Sequence, residues 1–193
     1  LAANLIPTGY DKDWEAYQLM NTLLGGSFLS RLNANLREEK HWTYGARSTI
    51  RQNTGQGAFV AATSVQADKT AETVLEMLKE FNGIRSSKPI TEAEFQAEQT
   101  NTVLSIPNDW ETLSGLTGSL VKALEFGKTP GWLQTYSANL QRLTANDVKQ
   151  AAHSIVQPDQ MIWVVVGDKS EIEDSLKTLP LGGYTLLDPL SEP

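Results

Sequence analysis

The sequence predicts an α+β fold. Three observations carry this: β-rich and amphipathic helical stretches are mixed rather than strictly alternating, two Ser/Thr/Val-containing stretches at 44–51 and 58–66 stand back to back, and helix-start signals recur through the second half. At 193 residues, 40% hydrophobic and 20% charged, with 14 Gly and 8 Pro, the composition is that of a packed globular chain. A chain of this size buries roughly 70% of its unfolded surface, so it needs no disulfide or metal to hold a core. One domain over 1–180 is expected, followed by a Pro-bounded tail over 181–193.

The elements are read in chain order. Residues 1–7 form an apolar first strand that reads as clipped, because the chain starts on Leu1 with no initiator Met. Asp11 or Asp13 caps a helix that runs to about Leu24, where Gly25-Gly26 ends it. A shorter helix over about 28–38 buries Leu29, Leu32 and Leu36, leaving Arg37 at its C-terminal end. The stretches 44–51 and 58–66 pair as an antiparallel hairpin across the Gly- and Asn-rich loop 52–57. A helix opening at Asp68 or Thr70 repeats Val74, Leu75, Leu78 and Phe81 and closes at Gly83.

In the second half, Thr91, Asn108, Thr144 and Ser170 each precede an acidic residue by three positions, the pattern of a capping box. The implied helices are 92–106, ended by Pro107; 109–125, with Leu113, Leu116, Leu120 and Leu124 on one side; about 131–141; 147–156; and 171–179. Between the last two, the run M-I-W-V-V-V-G at 161–167 reads as a strand buried on both faces or central in the sheet.

Charge and residue types exclude several functions. Sixteen Lys+Arg against 23 Asp+Glu give a net charge of −7, and no basic run exists to neutralise phosphates, so no nucleic-acid partner is expected. Absence of Cys excludes disulfides, thiolate metal sites and a cysteine nucleophile. The longest apolar run, 161–166, is far short of the roughly 20 residues that cross a bilayer, so no membrane span is expected. His41 and His153 have no second His three or four residues away, and neither H-E-x-x-H nor H-x-x-E-H occurs, so no metal is expected in this chain. The close glycines fit no phosphate loop, and no G-x-S-x-G elbow is present.

One segment, 24–46, remains: L-G-G-S-F-L-S-R-L-N-A-N-L-R-E-E-K-H-W-T-Y-G-A. It is a helix ending in a charged turn that feeds directly into a strand, with Arg37 at the helix end and Tyr44 at the strand start. A guanidinium fork and a phenol O–H are donors suited to a peptide carbonyl or the oxyanion it becomes. On physical grounds alone the plainer reading is a surface arginine pairing with Glu38 or Glu39 and a packed strand tyrosine.

The segment closely resembles the signature of the C-terminal, non-zinc domain of the pitrilysin/insulinase family of zinc metallopeptidases, the inverzincins, and in particular their short members related to mitochondrial processing peptidase. The likeness continues in order through G-A-F-V-A-A-T-S-V at 57–65, T-E-A-E-F at 91–95, L-T-A-N-D-V at 143–148 and V-V-V-G-D-K at 164–169. It implies an antiparallel-rich sheet covered by helices on one face. It also implies that this chain is one half of a chamber whose homologous partner half, in the same polypeptide or a separate subunit, holds zinc on H-x-x-E-H, with a peptide as substrate. The residues matching the family's substrate contacts are Arg37 and Tyr44, which would hydrogen-bond the substrate carbonyl or oxyanion. Ser30, Arg31, Leu32, Gly25 and Gly26 match as well, and read as an ion pair at Arg31, core at Leu32 and turn geometry at the glycines. Where the family commonly has Gly before Thr-Tyr, this chain has His41-Trp42, so the approach to Tyr44 is bulkier. The resemblance implies proteolysis by the complete enzyme and none by this chain alone, and, from its often exported bacterial members, a periplasmic location. Two other readings fit the same residues: an inactive scaffold subunit of peptidase descent, and a stand-alone peptide-binding module.

Overall fold

The computed structural model describes residues 1–129 and 131–187. Its order is β1 (Ala2–Thr8), α1 (Trp14–Asn21), α2 (Arg31–Asn33), β2 (Thr43–Arg51), β3 (Gln56–Val65), α3 (Thr70–Arg85), α4 (Glu92–Trp110), α5 (Leu113–Glu125), α6 (Trp132–Arg142), α7 (Ala145–Ile155), β4 (Ile162–Trp163) and α8 (Lys169–Leu176). Wider π-type turns extend α1 through Thr22–Gly26 and α2 through Ala34–Glu39. The α+β class holds: a four-stranded sheet in the order β2-β3-β1-β4, antiparallel at every pair, carries helices on one face.

Period-two alternation decides which side of each strand is covered. Ala2, Asn4 and Ile6 of β1, Phe59 and Ala61 of β3, and Ala46 and Ser48 of β2 are buried, while Leu5, Ala62, Arg47, Thr49 and Arg51 face solvent. Against the buried side pack Leu19 and Met20 of α1, Met77, Phe81 and Ile84 of α3, and Val148, Ala152 and Ile155 of α7. Phe59 meets Phe81 edge-on at 5.8 Å between ring centroids, and Phe81 meets Trp163 at 6.3 Å. Asn4 ties β1 to the end of α7, its amide donating to the Ile155 carbonyl at 2.8 Å and its oxygen accepting from Gln157 N–H at 3.3 Å.

Several expectations are corrected. The hairpin and the capping boxes Thr91–Glu94 and Thr144–Asp147 stand as read. Asn108 and Ser170 do not cap; α4 runs through Pro107 to Trp110, Thr112 caps α5 by accepting from Gly115 N–H, and Asp168 caps α8. Pro107 is exposed, where water can serve the carbonyl its ring leaves without a donor, so it removes one hydrogen bond without ending the helix. Neither Asp11 nor Asp13 caps α1 through its side chain; the Asp11 carboxylate instead accepts from Asp13 N–H.

Leu29 is 87% exposed, because it precedes the first turn of α2 and lies off its buried face. Leu75 is exposed and Leu78 half-buried, the core side of α3 being Val74, Met77 and Phe81. The leucine stripe of α5 is largely uncovered, with Leu113, Leu116 and Leu124 exposed. The 161–167 run is neither central nor doubly buried: β4 ends the sheet, and Ile162, Val164, Val165 and Val166 are exposed. Pairing runs Ala3–Ile162 and Ala2–Trp163, with backbone hydrogen bonds joining Leu1 to Val164. Of the expected tail, Tyr184 donates to Glu173 at 2.6 Å, while 188–193 lie outside the described residues.

Phe59 is fully buried at the centre of the sheet–helix contact. Phe59→Ala is expected to lower unfolding free energy by about 3–5 kcal/mol, measured by urea titration.

Candidate functional site

The junction between α2 and β2 is assembled from backbone constraints first. Gly25 packs where a Cβ would come within 2.5 Å of Ser48 Oγ and 2.6 Å of its backbone nitrogen, so glycine is what allows the α1 extension to touch β2. Asn21 donates to the Ser48 carbonyl at 3.2 Å and accepts from its hydroxyl at 2.8 Å, locking the same contact. Asn33, also buried, spans the next gap: its Oδ1 accepts from Ala46 N–H at 2.8 Å and its Nδ2 donates to the Phe28 carbonyl at 3.1 Å. Asn35 donates to Glu76 and Glu80 of α3 at 2.9 and 2.8 Å, anchoring the other side of the turn.

Arg37 stands in the π-type turn, its guanidinium carbon 4.3 Å from the Phe28 ring centroid and its Nη1 3.3 Å from Glu38 Oε1. The Glu38 contact lacks hydrogen-bond geometry, and that Nη1 is buried with no hydrogen-bond partner among the described residues. Tyr44 is fully exposed. Simple alternation would place it beside Ala46 and Ser48, against the helices. The register instead slips between Thr43, opposite Val65, and Ala46, opposite Thr63, so β2 carries one extra residue there. This bulge turns Tyr44 outward. Thr43 braces it, donating to the Ser64 carbonyl at 2.7 Å and accepting from Gly45 N–H at 3.0 Å. Arg37 is part-exposed and Tyr44 fully exposed, so neither is sealed in the core, and among the described residues no hydrogen bond joins them.

The other matching positions take structural roles. Arg31 forks onto Glu94, Nε to Oε1 at 3.0 Å and Nη2 to Oε2 at 2.9 Å, and also donates to the carbonyls of Lys88 and Pro89. Partial burial pushes the Glu94 carboxyl up, but the Arg31 fork and the Thr91 cap outweigh it and hold it below the ordinary glutamate value. Leu32 is fully buried. His41 takes up the left-handed conformation, φ 59°, at the helix end, and its Nδ1 lies 3.0 Å from the Arg37 carbonyl. The bulkier residue therefore adopts the backbone a glycine would supply. Sequence reasoning missed Asn33, Phe28 and Thr43; a buried Asn leaves no periodic signal, and the bulge is invisible to alternation.

Zinc, implied by the resemblance for the complete enzyme, finds no ligand set here. Among the described residues no three His, Cys, Asp or Glu side chains are grouped to hold a metal, His41 is turned to a backbone carbonyl, and His153 is exposed on α7.

Residues 2–102 match the model of the peptidase M16 inactive domain. The chain belongs to this family. No curated protein sequence matches it. Among solved structures, a peptidase M16 inactive domain from Pseudomonas fluorescens is 24% identical with a TM-score of 0.76, the match covering 83% of this chain and 38% of that one. The inactive peptidase domain of a candidate zinc protease from Bordetella parapertussis is 15% identical, TM-score 0.69, covering 86% and 90%. A chain of complex III2 from Candida albicans is 14% identical, TM-score 0.68, covering 83% and 40%. At these identities the structural likeness speaks for the fold. The chain spans about 38% of the length of the Pseudomonas chain.

Asn33→Ala leaves the Ala46 N–H buried without a partner and is expected to lower stability by about 2 kcal/mol, measured by chemical denaturation. At His41, a valine is expected to be roughly 1–2 kcal/mol less stable than a glycine, read as a difference in Tm, since only glycine takes positive φ without strain.

Proposed function

We propose that this M16 inactive domain is the non-zinc half of a zinc metalloendopeptidase. It closes a substrate chamber against a homologous half and donates hydrogen bonds from Arg37 and Tyr44 to the peptide carbonyl as it becomes an oxyanion. Zinc, held by the partner half, supplies the chemistry of hydrolysis; this chain binds and polarises. The observation that carries the reading is the bulge at Tyr44, which exposes a phenol that alternation would bury, at the start of the strand that the Arg37 turn leads into. Donors of this kind act by being preorganised where charge develops, which agrees with their place in a hydrogen-bonded turn and strand rather than a free loop. An exported, periplasmic setting belongs to the same proposal, and cell fractionation tests it.

A second reading is a scaffold in which the fold persists without catalysis; the fold is shared with a chain of complex III2 from Candida albicans. Its expectation is that the complete protein binds no zinc and cleaves no peptide.

In the complete two-half assembly, Tyr44→Phe and Arg37→Ala are each expected to lower kcat by roughly 10²–10³ with the fold retained. Steady-state peptide hydrolysis, checked against unchanged Tm, tests this. Unchanged turnover in both variants removes the assigned roles while leaving the family membership intact.

A further inference from the structure

A cavity of about 440 Å³ opens between α1, α4, α5 and α6 and takes none of its lining from 24–46, so it is independent of the proposed function. Its size is that of a small-ligand site. Aromatic rings form its walls: Trp132 and Tyr136 lie 4.6 Å apart, Trp110 stands 6.3 Å from Tyr136, and Trp14 and Phe126 complete the enclosure. Glu15 also lines it, only 8% exposed, one oxygen accepting from Trp132 Nε1 at 3.2 Å.

A carboxylate buried among aromatic rings needs a cation. The chain supplies one poorly. Lys128 Nζ is 3.9 Å from Glu15 Oε1, too far for a hydrogen bond, and 5.9 Å from the Trp132 ring centroid. The Gln52 Oε1 acceptor of the same cavity is buried without a partner among the described residues. Burial first, and then the negative charge of Glu15 and Asp109, push the Tyr136 phenol up to about 12. Asp109 and Lys122, both exposed, add one charge of each sign.

We infer that this cavity binds an aliphatic cation, the ammonium or guanidinium end of a lysine- or arginine-like side chain or of a diamine, with Lys128 as its loosely held internal substitute. The head group would bond Glu15 and Gln52 while the aliphatic stem lies against Trp132 and Tyr136. If Glu15 served only to hold α6 through the Trp132 N–H, a glutamine would do as well.

The test is titration of the full-length protein with N-acetyl-lysine amide, followed by tryptophan fluorescence, since Trp14, Trp110 and Trp132 are three of the chain's five tryptophans. Saturable binding is expected on the order of millimolar. Glu15→Gln is expected to weaken it about tenfold, and Lys128→Ala to tighten it by removing the competitor. Should Glu15→Gln not fold, Trp132→Phe carries the same expectation of weaker binding. Tighter binding of 1,5-diaminopentane than of the lysine amide would identify a free diamine as the source; the reverse identifies a peptide side chain. No saturation by either, an equal response to the uncharged N-acetyl-norleucine amide, or undiminished binding by Glu15→Gln overturns the inference.

Discussion

The junction that presents Arg37 and Tyr44 depends on one buried amide. Asn33 reaches from α2 to two backbone groups that secondary structure leaves unserved: the Ala46 N–H just past the bulge and the Phe28 carbonyl before the helix. With both ends of the amide satisfied, burial of the polar group costs little and its geometry is sharply specified. The bulge needs this partner, because an extra residue in β2 disrupts the ladder and strands a donor at the point where the chain re-enters register. Phe28, held by the same amide, places its ring under the Arg37 guanidinium. Three features that look separate are therefore one mechanical unit.

The two arginines of the segment show how geometry separates support from availability. Arg31 is forked onto Glu94 and spends further donors on the Lys88 and Pro89 carbonyls, so its guanidinium is committed to holding α2 against the start of α4. Arg37 lies over the Phe28 ring and reaches one carboxylate, its neighbour Glu38, whose side chain is more than half exposed, without hydrogen-bond geometry. An exposed pair of that kind is worth between nothing and about 1 kcal/mol. Redirecting Arg37 toward a ligand thus sacrifices little, whereas redirecting Arg31 would strip a half-buried carboxylate of its partner.

Elements were legible in the sequence where local chemistry decides them. The hairpin follows from its Gly- and Asn-rich loop, and the helices starting after Thr91 and Thr144 follow from reciprocal caps, all confined to a few neighbouring residues. What failed were inferences from apolar pattern to burial. The stripe from Leu113 to Leu124 and the valines at 164–166 have the spacing of core residues, yet spacing says only that a face is apolar and leaves open what covers it. At the junction, the placement of Arg37 at a helix end and Tyr44 at a strand start was legible from spacing. The outward turn of Tyr44 was not, because it depends on a register slip between two strands. Nor was the fate of the turn at His41, where an imidazole occupies a left-handed backbone and steadies it against the Arg37 carbonyl.

On the proposed reading, the same exposure that marks Tyr44 as a donor explains why the chain would do nothing alone. In water a phenol and a guanidinium exchange one hydrogen-bond partner for another with small net gain, about 1 kcal/mol or less. Their electrostatic value rises only when a second surface excludes solvent and lowers the local dielectric, where a preorganised donor stabilises developing charge without reorganising. The fold supplies a braced backbone at Tyr44, through Thr43, and the outward residues Arg47, Thr49 and Arg51 of the same strand are exposed. The exclusion of solvent has to come from whatever closes over them, so catalytic worth on this reading belongs to the closed pair of halves and cannot be apportioned to either.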